Sequence, residues 1–360
     1  MKSFKIIISV FIIALIGLST FFYFSIKKDE VNNENLSILH KFNLSEIIAP
    51  IKQKEIILPS DKLSLLFTGD IMLDRAVWLK TIEAGDYFYP FKNLDYFFDY
   101  DLRIGNLEGA ITNFKSISNG TGGSRFFFTF SPEFLPAFKK YFSIFDLANN
   151  HTDNFEATGL KQTRDFLIES NINYFGDPNN VKENLSIIIE KNNIRIGLIG
   201  YNVLVANGLT NILLEINKIR PLVDYLIIMP HWGTEYATDK INFFQRDTAH
   251  QLIDASADII IGTHPHVIQL IEEYNGKLIF YSLGNFIFDQ YFSTETQQGL
   301  NLAIYLEKGN SITANYKLLP IEIDNNSQPA LASDGVRNKI IDSLSNLSDL
   351  STSTKKVLFE

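Results

Sequence analysis

The sequence contains no cysteine, and its 360 residues include only 3 methionines, 2 tryptophans and 11 prolines. Without cysteine the chain cannot form disulfides, cysteine-ligated zinc sites or iron–sulfur clusters, and it has no thiol nucleophile. An excess of positive charge is also missing, because 32 lysines and arginines stand against 41 aspartates and glutamates, for a net charge of −9. The sequence therefore lacks a strongly basic surface, and no nucleic-acid partner is expected.

The chain is 46% hydrophobic and 20% charged, which is too apolar for a disordered protein and too mixed for a polytopic membrane protein. Residues 6–26 carry no charge. At about 1.5 Å per residue, this run is long enough to cross a hydrocarbon core of about 30 Å. It is longer than the apolar core of a cleavable signal peptide and lacks a small-residue cleavage site, which favours an uncleaved anchor over a cleaved signal. We expect a single-pass protein of the cell membrane, with one transmembrane helix in residues 1–30 and an extracytoplasmic body.

Residues 31–60 are polar and include Pro50 and Pro59, so they predict a tether between the anchor and the body. Residues 1–30 hold four lysines and two acids, which leaves a net charge of −11 for the rest. An acidic body disfavours anionic membrane surfaces and suits metal cations, although solubility explains the charge equally well. The body is expected to be one domain over 61–330, followed by a terminal helix or tail over 331–360.

From Leu63 onward, short apolar runs end abruptly in polar residues, which is typical of strands buried on both faces. These runs are 63–69, 101–105, 143–148, 194–200, 224–230, 257–262 and 277–284, with further strand-like segments at 299–307 and 312–324. Stretches compatible with helices lie at about 132–142, 156–170, 209–220 and 242–256. This alternation predicts an α/β fold. Because ligands bind beyond the carboxyl ends of strands in open α/β sheets, the polar residues that follow the runs predict a site.

The polar residues after these runs include six candidate oxygen and nitrogen metal ligands: Asp70, Glu108, Asn150, His231, His264 and His266. Each alone has a simpler explanation as a turn, cap or packed residue, but together they predict one or two divalent ions, with Mn, Zn or Fe as candidates. In His264-Pro265-His266, the proline favours extended backbone before it, which would turn both imidazoles to one side. His40 in the tether and His250 in a predicted helix are not assigned to the site.

Six segments occur in order along residues 63–290: FTGDIML, GNLEGAIT, ANNHTDNF, HWGTEY, GTHPHV and SLGNFIFD. This series resembles the bacterial capsule-synthesis protein CapA family, whose members are linked to poly-γ-glutamate capsule production. That family is in turn similar to the calcineurin-like metallophosphoesterases. The resemblance implies a four-layer α-β-β-α sandwich, in which two mixed sheets are covered by helices on their outer faces.

The resemblance also implies roles for individual residues. It makes Asp70 the first aspartate ligand, Glu108 the bridging carboxylate and Asn150 the asparagine ligand. It makes His231 the isolated histidine ligand, His264 and His266 the paired ones, and His151 a proton donor or oxyanion stabiliser.

Two departures from the phosphoesterase pattern stand out. The first motif reads Asp70-Ile71-Met72 where the pattern has Asp-x-His, and Glu108 replaces the bridging aspartate. One metal position therefore lacks a nitrogen ligand. Asp74 lies nearby in the sequence, but we do not predict that it compensates.

Three functions remain open. The first is a membrane-anchored component that makes, exports or attaches an anionic capsule polymer such as poly-γ-glutamate, together with capsule-synthesis membrane proteins. The second is a general surface phosphohydrolase that depends on a metal, and the third is a non-catalytic binding module with a vestigial site. Arg103, Arg125 and Asn285 are weaker candidates for contacting an anionic substrate.

Overall fold

The structure of the protein is a computed structural model that describes residues 61–117, 126–206, 208–238 and 240–359. The expected membrane helix and tether, as well as Arg125, lie outside these ranges. Among the described residues, no helix combines the length and the apolar character needed to cross a membrane.

The described ranges form sixteen strands and seven α-helices, and every predicted strand and helix of the body is confirmed. The strands are β1 (Lys62–Ile71), β2 (Leu102–Leu107), β3 (Ala110–Ile111), β4 (Thr129–Phe130), β5 (Ile144–Asp146), β6 (Asn173–Phe175), β7 (Ser186–Lys191), β8 (Ile194–Asn202), β9 (Tyr225–His231), β10 (Ile259–Ile261), β11 (Ile271–Tyr274), β12 (Lys277–Phe280), β13 (Asn285–Ile287), β14 (Gln298–Lys308), β15 (Ile312–Ile323) and β16 (Pro329–Leu331). The helices are α1 (Arg75–Ala84), α2 (Leu135–Tyr141), α3 (Glu156–Glu169), α4 (Gly208–Ile219), α5 (Phe243–Asp254), α6 (Asp334–Leu347) and α7 (Thr352–Phe359).

Two large sheets form the centre of the domain. In the first sheet the order is β16-β15-β14-β1-β2-β5-β6, and β13 also pairs with β1. Strands β1, β2, β5 and β6 run parallel, whereas β14, β15 and β16 are antiparallel to their neighbours. In the second sheet the order is β11-β12-β10-β9-β8-β7, with a parallel centre and antiparallel edge strands. The carboxyl ends of the parallel strands carry the polar residues.

Three apolar clusters arrange the sheets and helices in layers. The first cluster packs the first sheet against α1, α2 and α3 and is rich in phenylalanine. The second is mostly aliphatic and lies between the two sheets. The third packs the second sheet against α4 and α5. The mixed α/β fold is thus confirmed.

Strand β9 shows how the sequence produces these layers. Its residues are all buried, and successive side chains point to opposite faces of the sheet. Leu226 and Ile228 therefore join the third cluster, whereas Ile227 and Met229 join the second. A continuous apolar run is what a strand covered on both faces requires.

Two parts of the fold were less clear in the sequence. Helix α1 was not predicted; the Asp74 side chain accepts a hydrogen bond from the Arg75 N–H at its start, and Gly85 ends it in left-handed backbone at φ 64°. The expected terminal helix or tail forms α6 and α7. Ile340 and Leu358 of these helices belong to the cluster between the sheets.

Candidate metal site

The site lies where the carboxyl ends of the parallel strands of the two sheets come together. The first sheet supplies Asp70 at the end of β1, Glu108 after β2, and Asn150 and His151 after β5. The second supplies His231 at the end of β9 and both His264 and His266 after β10. All are buried except Asn150, which is half-buried. The seven residues predicted as metal ligands or catalytic residue are therefore close together.

A close backbone contact beside Asp70 ties β1 to the segment that leads from β12 of the second sheet to β13. The Asp70 N–H donates to the Gly284 carbonyl at 3.1 Å, and Asp70 pairs with Asn285 of β13. A Cβ atom on Gly69 would lie 1.8 Å from the Gly284 oxygen, so only glycine fits there. Gly284 itself has a φ of +71°, which favours glycine. These glycines of the FTGD and SLGN motifs allow Asp70 to lie beside Asn285, whose side chain contacts His266.

Asp70 and His266 are in direct contact. Asp70 Oδ2 lies 3.3 Å from His266 Nδ1 and accepts the His264 backbone N–H at 3.2 Å. Asn285 Oδ1 lies 3.0 Å from the same His266 nitrogen, while the Asn285 amide donates to Gln290 and to the Thr296 carbonyl. Asn285, a candidate for substrate contact, is thus engaged in orienting His266.

A chain of polar contacts links His231 to His151. Asn150 Oδ1 lies 2.8 Å from His231 Nε2, and Asn150 Nδ2 lies 3.1 Å from His151 Nε2. Thr263 Oγ1 lies 3.0 Å from the other nitrogen of His231. Asn154 Oδ1 lies 3.0 Å from His151 Nδ1. Each of these two imidazoles is therefore fixed from both sides.

Two buried asparagines hydrogen-bond residues of the site. The sequence did not lead us to assign either of them to it. Asn106 donates to Asp70 Oδ1 at 2.8 Å and accepts from the Asn149 amide at 2.9 Å. Asn149 Oδ1 in turn accepts the backbone N–H groups of His151 and Thr152. The signal for both was present in the sequence, because each directly follows an apolar run, in the motifs GNLEG and ANNH.

Three buried atoms of the site have no hydrogen-bond partner among the described residues: both carboxylate oxygens of Glu108 and Nδ1 of His264. Leaving such atoms unpaired is costly, so they indicate an absent partner. Three sets of side chains have one ligand atom each within 4.8 Å of one another: Glu108, His231 and His264; Asp70, Glu108 and His266; Glu235, His264 and His266. Carboxylate oxygens and imidazole nitrogens suit divalent transition ions, so the residues present fit a metal.

Burial and neighbouring charge shift the pKa values of the site. Burial lowers the pKa of His151 and that of His264 to about 4. Burial also lowers the pKa of His266, but the negative charges of Glu108 and Asp70 outweigh it and raise that pKa to about 9. Burial, with the Asp70 charge, raises the pKa of Glu108 well above its usual range. The carboxyl groups of Glu108 and Asp70 are thus buried close together, where a bound cation would favour their charged forms.

The backbone of the histidine pair differs from the expected extended form. His264 has a φ of 96° and His266 a φ of 59°, so the argument from extended backbone was wrong. The rings still converge, with centroids 5.9 Å apart. Left-handed backbone at two non-glycine residues is unfavourable and persists where the surrounding structure fixes it.

Met72 and Asp74, which lie in and next to the first motif, are both engaged in local hydrogen bonds. Met72 is fully buried, and its sulfur accepts the Asp74 N–H at 3.1 Å. The Asp74 carboxylate accepts from the N–H groups of Arg75 and Thr129. His250, which was not assigned to the site, contacts Glu272 at 2.8 Å on the second sheet.

A cavity of about 530 Å³ opens beside the site. Its lining includes His151, His266 and Arg75, a cation that sequence reasoning missed. The Arg75 guanidinium lies 5.1 Å from the Phe128 ring centroid and 5.5 Å from that of Phe288. These rings lie 4.3 Å from the ring centroid of His151 and 4.8 Å from that of His266, respectively.

The Arg75 guanidinium is paired with Asp289, because Nε donates to Oδ2 at 3.1 Å and Nη2 donates to Oδ1. Arg103, one of the predicted substrate contacts, does not line this cavity. Its guanidinium donates instead to the backbone carbonyls of Tyr141 and Tyr100. Arg125, the other, lies outside the described residues.

Comparisons with known proteins match the part of the chain that holds these motifs. The family model described as bacterial capsule synthesis protein PGA_cap matches residues 64–290. The chain is similar to the capsule biosynthesis protein CapA of Bacillus anthracis, with 28% identity over 82% of this chain and 75% of that protein. It is also similar to the PGA biosynthesis protein CapA of Bacillus subtilis, with 30% identity over 78% of this chain and 77% of that one.

Among solved structures, the calcineurin-like phosphoesterase YfkN from Bacillus subtilis aligns with 79% of this chain and 97% of its own. The TM-score is 0.40 and the sequence identity 14%, so this likeness is loose.

Proposed function

The chain belongs to the bacterial capsule synthesis protein family PGA_cap, and on that premise we propose that it acts on an anionic capsule polymer through a divalent-metal site. Poly-γ-glutamate is the polymer we propose first, because the relative from Bacillus subtilis is named a PGA biosynthesis protein. The action is synthesis, export or attachment of the polymer. Membrane proteins of capsule synthesis are its proposed partners.

One observation carries the proposed metal site. Both Glu108 oxygens and His264 Nδ1 are buried without a hydrogen-bond partner among the described residues. They lie among His231, His266 and Asp70 in the groups of converging ligand atoms. Burying these polar groups without a partner costs folding free energy, and a bound cation would offset that cost.

The finer features of fold and location are also proposed. The three apolar clusters support a four-layer α-β-β-α sandwich of the metallophosphoesterase type. The uncharged run at residues 6–26 supports a single-pass anchor in the cell membrane, with the site outside the cytoplasm.

A bound divalent ion supplies Lewis-acid polarisation of a phosphoryl or carbonyl oxygen. The protein holds the proton of His151 on a defined atom. Asn154 Oδ1 accepts the Phe128 N–H at 2.8 Å, which fixes that amide oxygen toward His151 Nδ1. His151 therefore carries its proton on Nδ1, and its Nε2 accepts from the Asn150 amide. In this tautomer, Nε2 is the atom that takes up a proton during a reaction.

The charge of the cavity wall favours an anionic substrate. Arg75 is a cation of the wall, and its side chain is 21% exposed. Asp289 occupies its Nε and Nη2, whereas Nη1 makes no hydrogen bond with the described residues. We place a carboxylate or phosphate of the substrate at Nη1, because a guanidinium binds two such groups with separate N–H donors.

The first test is metal content. The full chain, purified in detergent, should hold one or two transition ions per molecule and should lose them in Glu108→Gln and His264→Ala variants. Glu215→Gln is the matched control, because this buried glutamate bonds Ser186 and Lys218 away from the site. A parent protein that takes up no Mn, Zn or Fe would refute the proposed site.

The second test is the substrate. Metal-loaded protein should bind poly-γ-glutamate more tightly than the Glu108→Gln variant does. Cleavage of a simple phosphodiester without any binding of the polymer would instead favour a general phosphohydrolase. Polymer binding that is equal in the parent and the variant would favour a non-catalytic binding module.

A further inference from the structure

Glu235 lies on the turn after β9, is exposed, and lines the cavity beside His266. We infer that Glu235 is a further metal ligand, which completes the site next to His264 and His266 with a third carboxylate. This inference rests on the proposed function, because it assigns one more residue to the same metal site.

The distances carry the inference. One ligand atom each of Glu235, His264 and His266 lies within 4.8 Å of the others. Donors that lie about 2.0–2.2 Å from one zinc ion are at most about 4.4 Å apart. At most a small rotation of the exposed Glu235 side chain is needed to reach this range. His264 Nδ1, which is buried and has no partner among the described residues, belongs to the same site.

The backbone fixes the turn that carries Glu235 to the histidine segment. The N–H of Tyr236 donates to the Pro265 carbonyl at 2.8 Å, so the residue after Glu235 is bonded between the two histidines. Tyr236 has a φ of 64° and Gly233 a φ of 95°. The hydrogen bond to Pro265 therefore keeps the exposed Glu235 close to His264 and His266.

The residue after Glu235 is also fixed to the cavity wall, because the Tyr236 hydroxyl accepts a hydrogen bond from Gln290 Nε2 at 3.2 Å. The backbone and the side chain of Tyr236 therefore both hold the turn that carries Glu235 beside the histidine segment.

Charge and ligand number agree with the assignment. Met72 and Asp74, the nearest residues in the first motif, are engaged elsewhere. With Glu235, the site has three carboxylates and three imidazoles, together with Asn150. Glu235 would supply the carboxylate of the ligand group that contains both His264 and His266.

The test is a Mn²⁺ titration of the metal-stripped full chain by calorimetry, combined with elemental analysis of the loaded protein. Glu235→Gln keeps the size and the hydrogen bonding of the side chain but removes its charge. We expect at least tenfold weaker binding of one ion, or its loss from the loaded protein, because removal of even an outer-shell partner costs tenfold or more. The control is Glu169→Gln at the exposed end of α3, which should bind like the parent.

Glu108→Gln separates this inference from the proposed function. If Glu108→Gln loses metal while Glu235→Gln binds like the parent, the metal site stands and the role of Glu235 is refuted. If the parent itself binds no Mn²⁺, Zn²⁺ or Fe²⁺, the proposed function fails first. A melting temperature of Glu235→Gln equal to that of the metal-stripped parent shows that weaker binding is not a folding defect.

Discussion

Asp146, at the end of β5, gives the sharpest quantitative prediction. It is 1% exposed, and a Cβ atom added to Gly176 or Gly200 would lie 2.2 or 2.3 Å from its Oδ1. This oxygen accepts the Ala148 N–H at 2.9 Å, but no cation contacts the carboxyl group among the described residues. Burial raises the pKa of Asp146 from 3.8 to about 8. The carboxyl group is therefore protonated at neutral pH in the folded protein.

The raised pKa links stability to pH. Between pH 4 and 8 the folded state keeps a proton that the unfolded state releases, so the free energy of unfolding falls as pH rises. The contribution is fully present below pH 3.8 and is lost as pH rises to about 8. Each pKa unit is worth about 1.4 kcal/mol, so the total loss is on the order of 5 kcal/mol.

Asp146→Asn removes this titration and keeps an oxygen for the Ala148 N–H. Urea unfolding of the parent and the variant at several pH values between 5 and 9 isolates the effect, because other titrating groups cancel in the difference. We expect the variant to gain about 1.4 kcal/mol per pH unit relative to the parent up to pH 8, with no further gain above it. A difference that does not change with pH would refute the reasoning. The exposed Asp342→Asn serves as the control.

Two further predictions concern the geometry of the site. Gly69→Ala should cost about 1–3 kcal/mol of stability and weaken metal binding, because its Cβ would lie 1.8 Å from the Gly284 oxygen next to Asp70. Urea unfolding measures the stability, and elemental analysis measures the metal content. Unchanged values of both would contradict the close contact. Arg75→Ala should weaken the binding of inorganic phosphate to the metal-loaded protein about tenfold in a calorimetric titration. Arg103→Ala should leave this binding unchanged, because the Arg103 side chain bonds backbone carbonyls outside the cavity. The opposite order would favour the original prediction for Arg103.

The local pattern of the sequence was sufficient for the elements of the body. Apolar runs such as 225–230 favour strands covered on both faces, because successive residues face opposite sides and the residues of both sides are apolar. The ends of these runs also marked the site, since Asp70, His231 and His264 follow parallel strands. Helix α1 was missed although Asp74 and Gly85 are typical of a helix start and a helix end, respectively.

The histidine pair shows where local rules failed. The rule for residues before proline favours extended backbone. The contact between the Tyr236 N–H and the Pro265 carbonyl belongs to a left-handed segment at His264 and His266, which tertiary packing fixes against that local preference.

The sequence by itself determined the strands, most of the helices, the family and most of the candidate donor residues, because these follow from periodicity and from motifs within a few residues. Only the tertiary structure decided which donors share one site. Asp70 and Glu108 come from one sheet and His231 from the other, and they meet because the two sheets pack face to face through the second apolar cluster. The pairing of Arg75 with Asp289 and the approach of Glu235 to His266 depend in the same way on packing between distant segments, which no local pattern records.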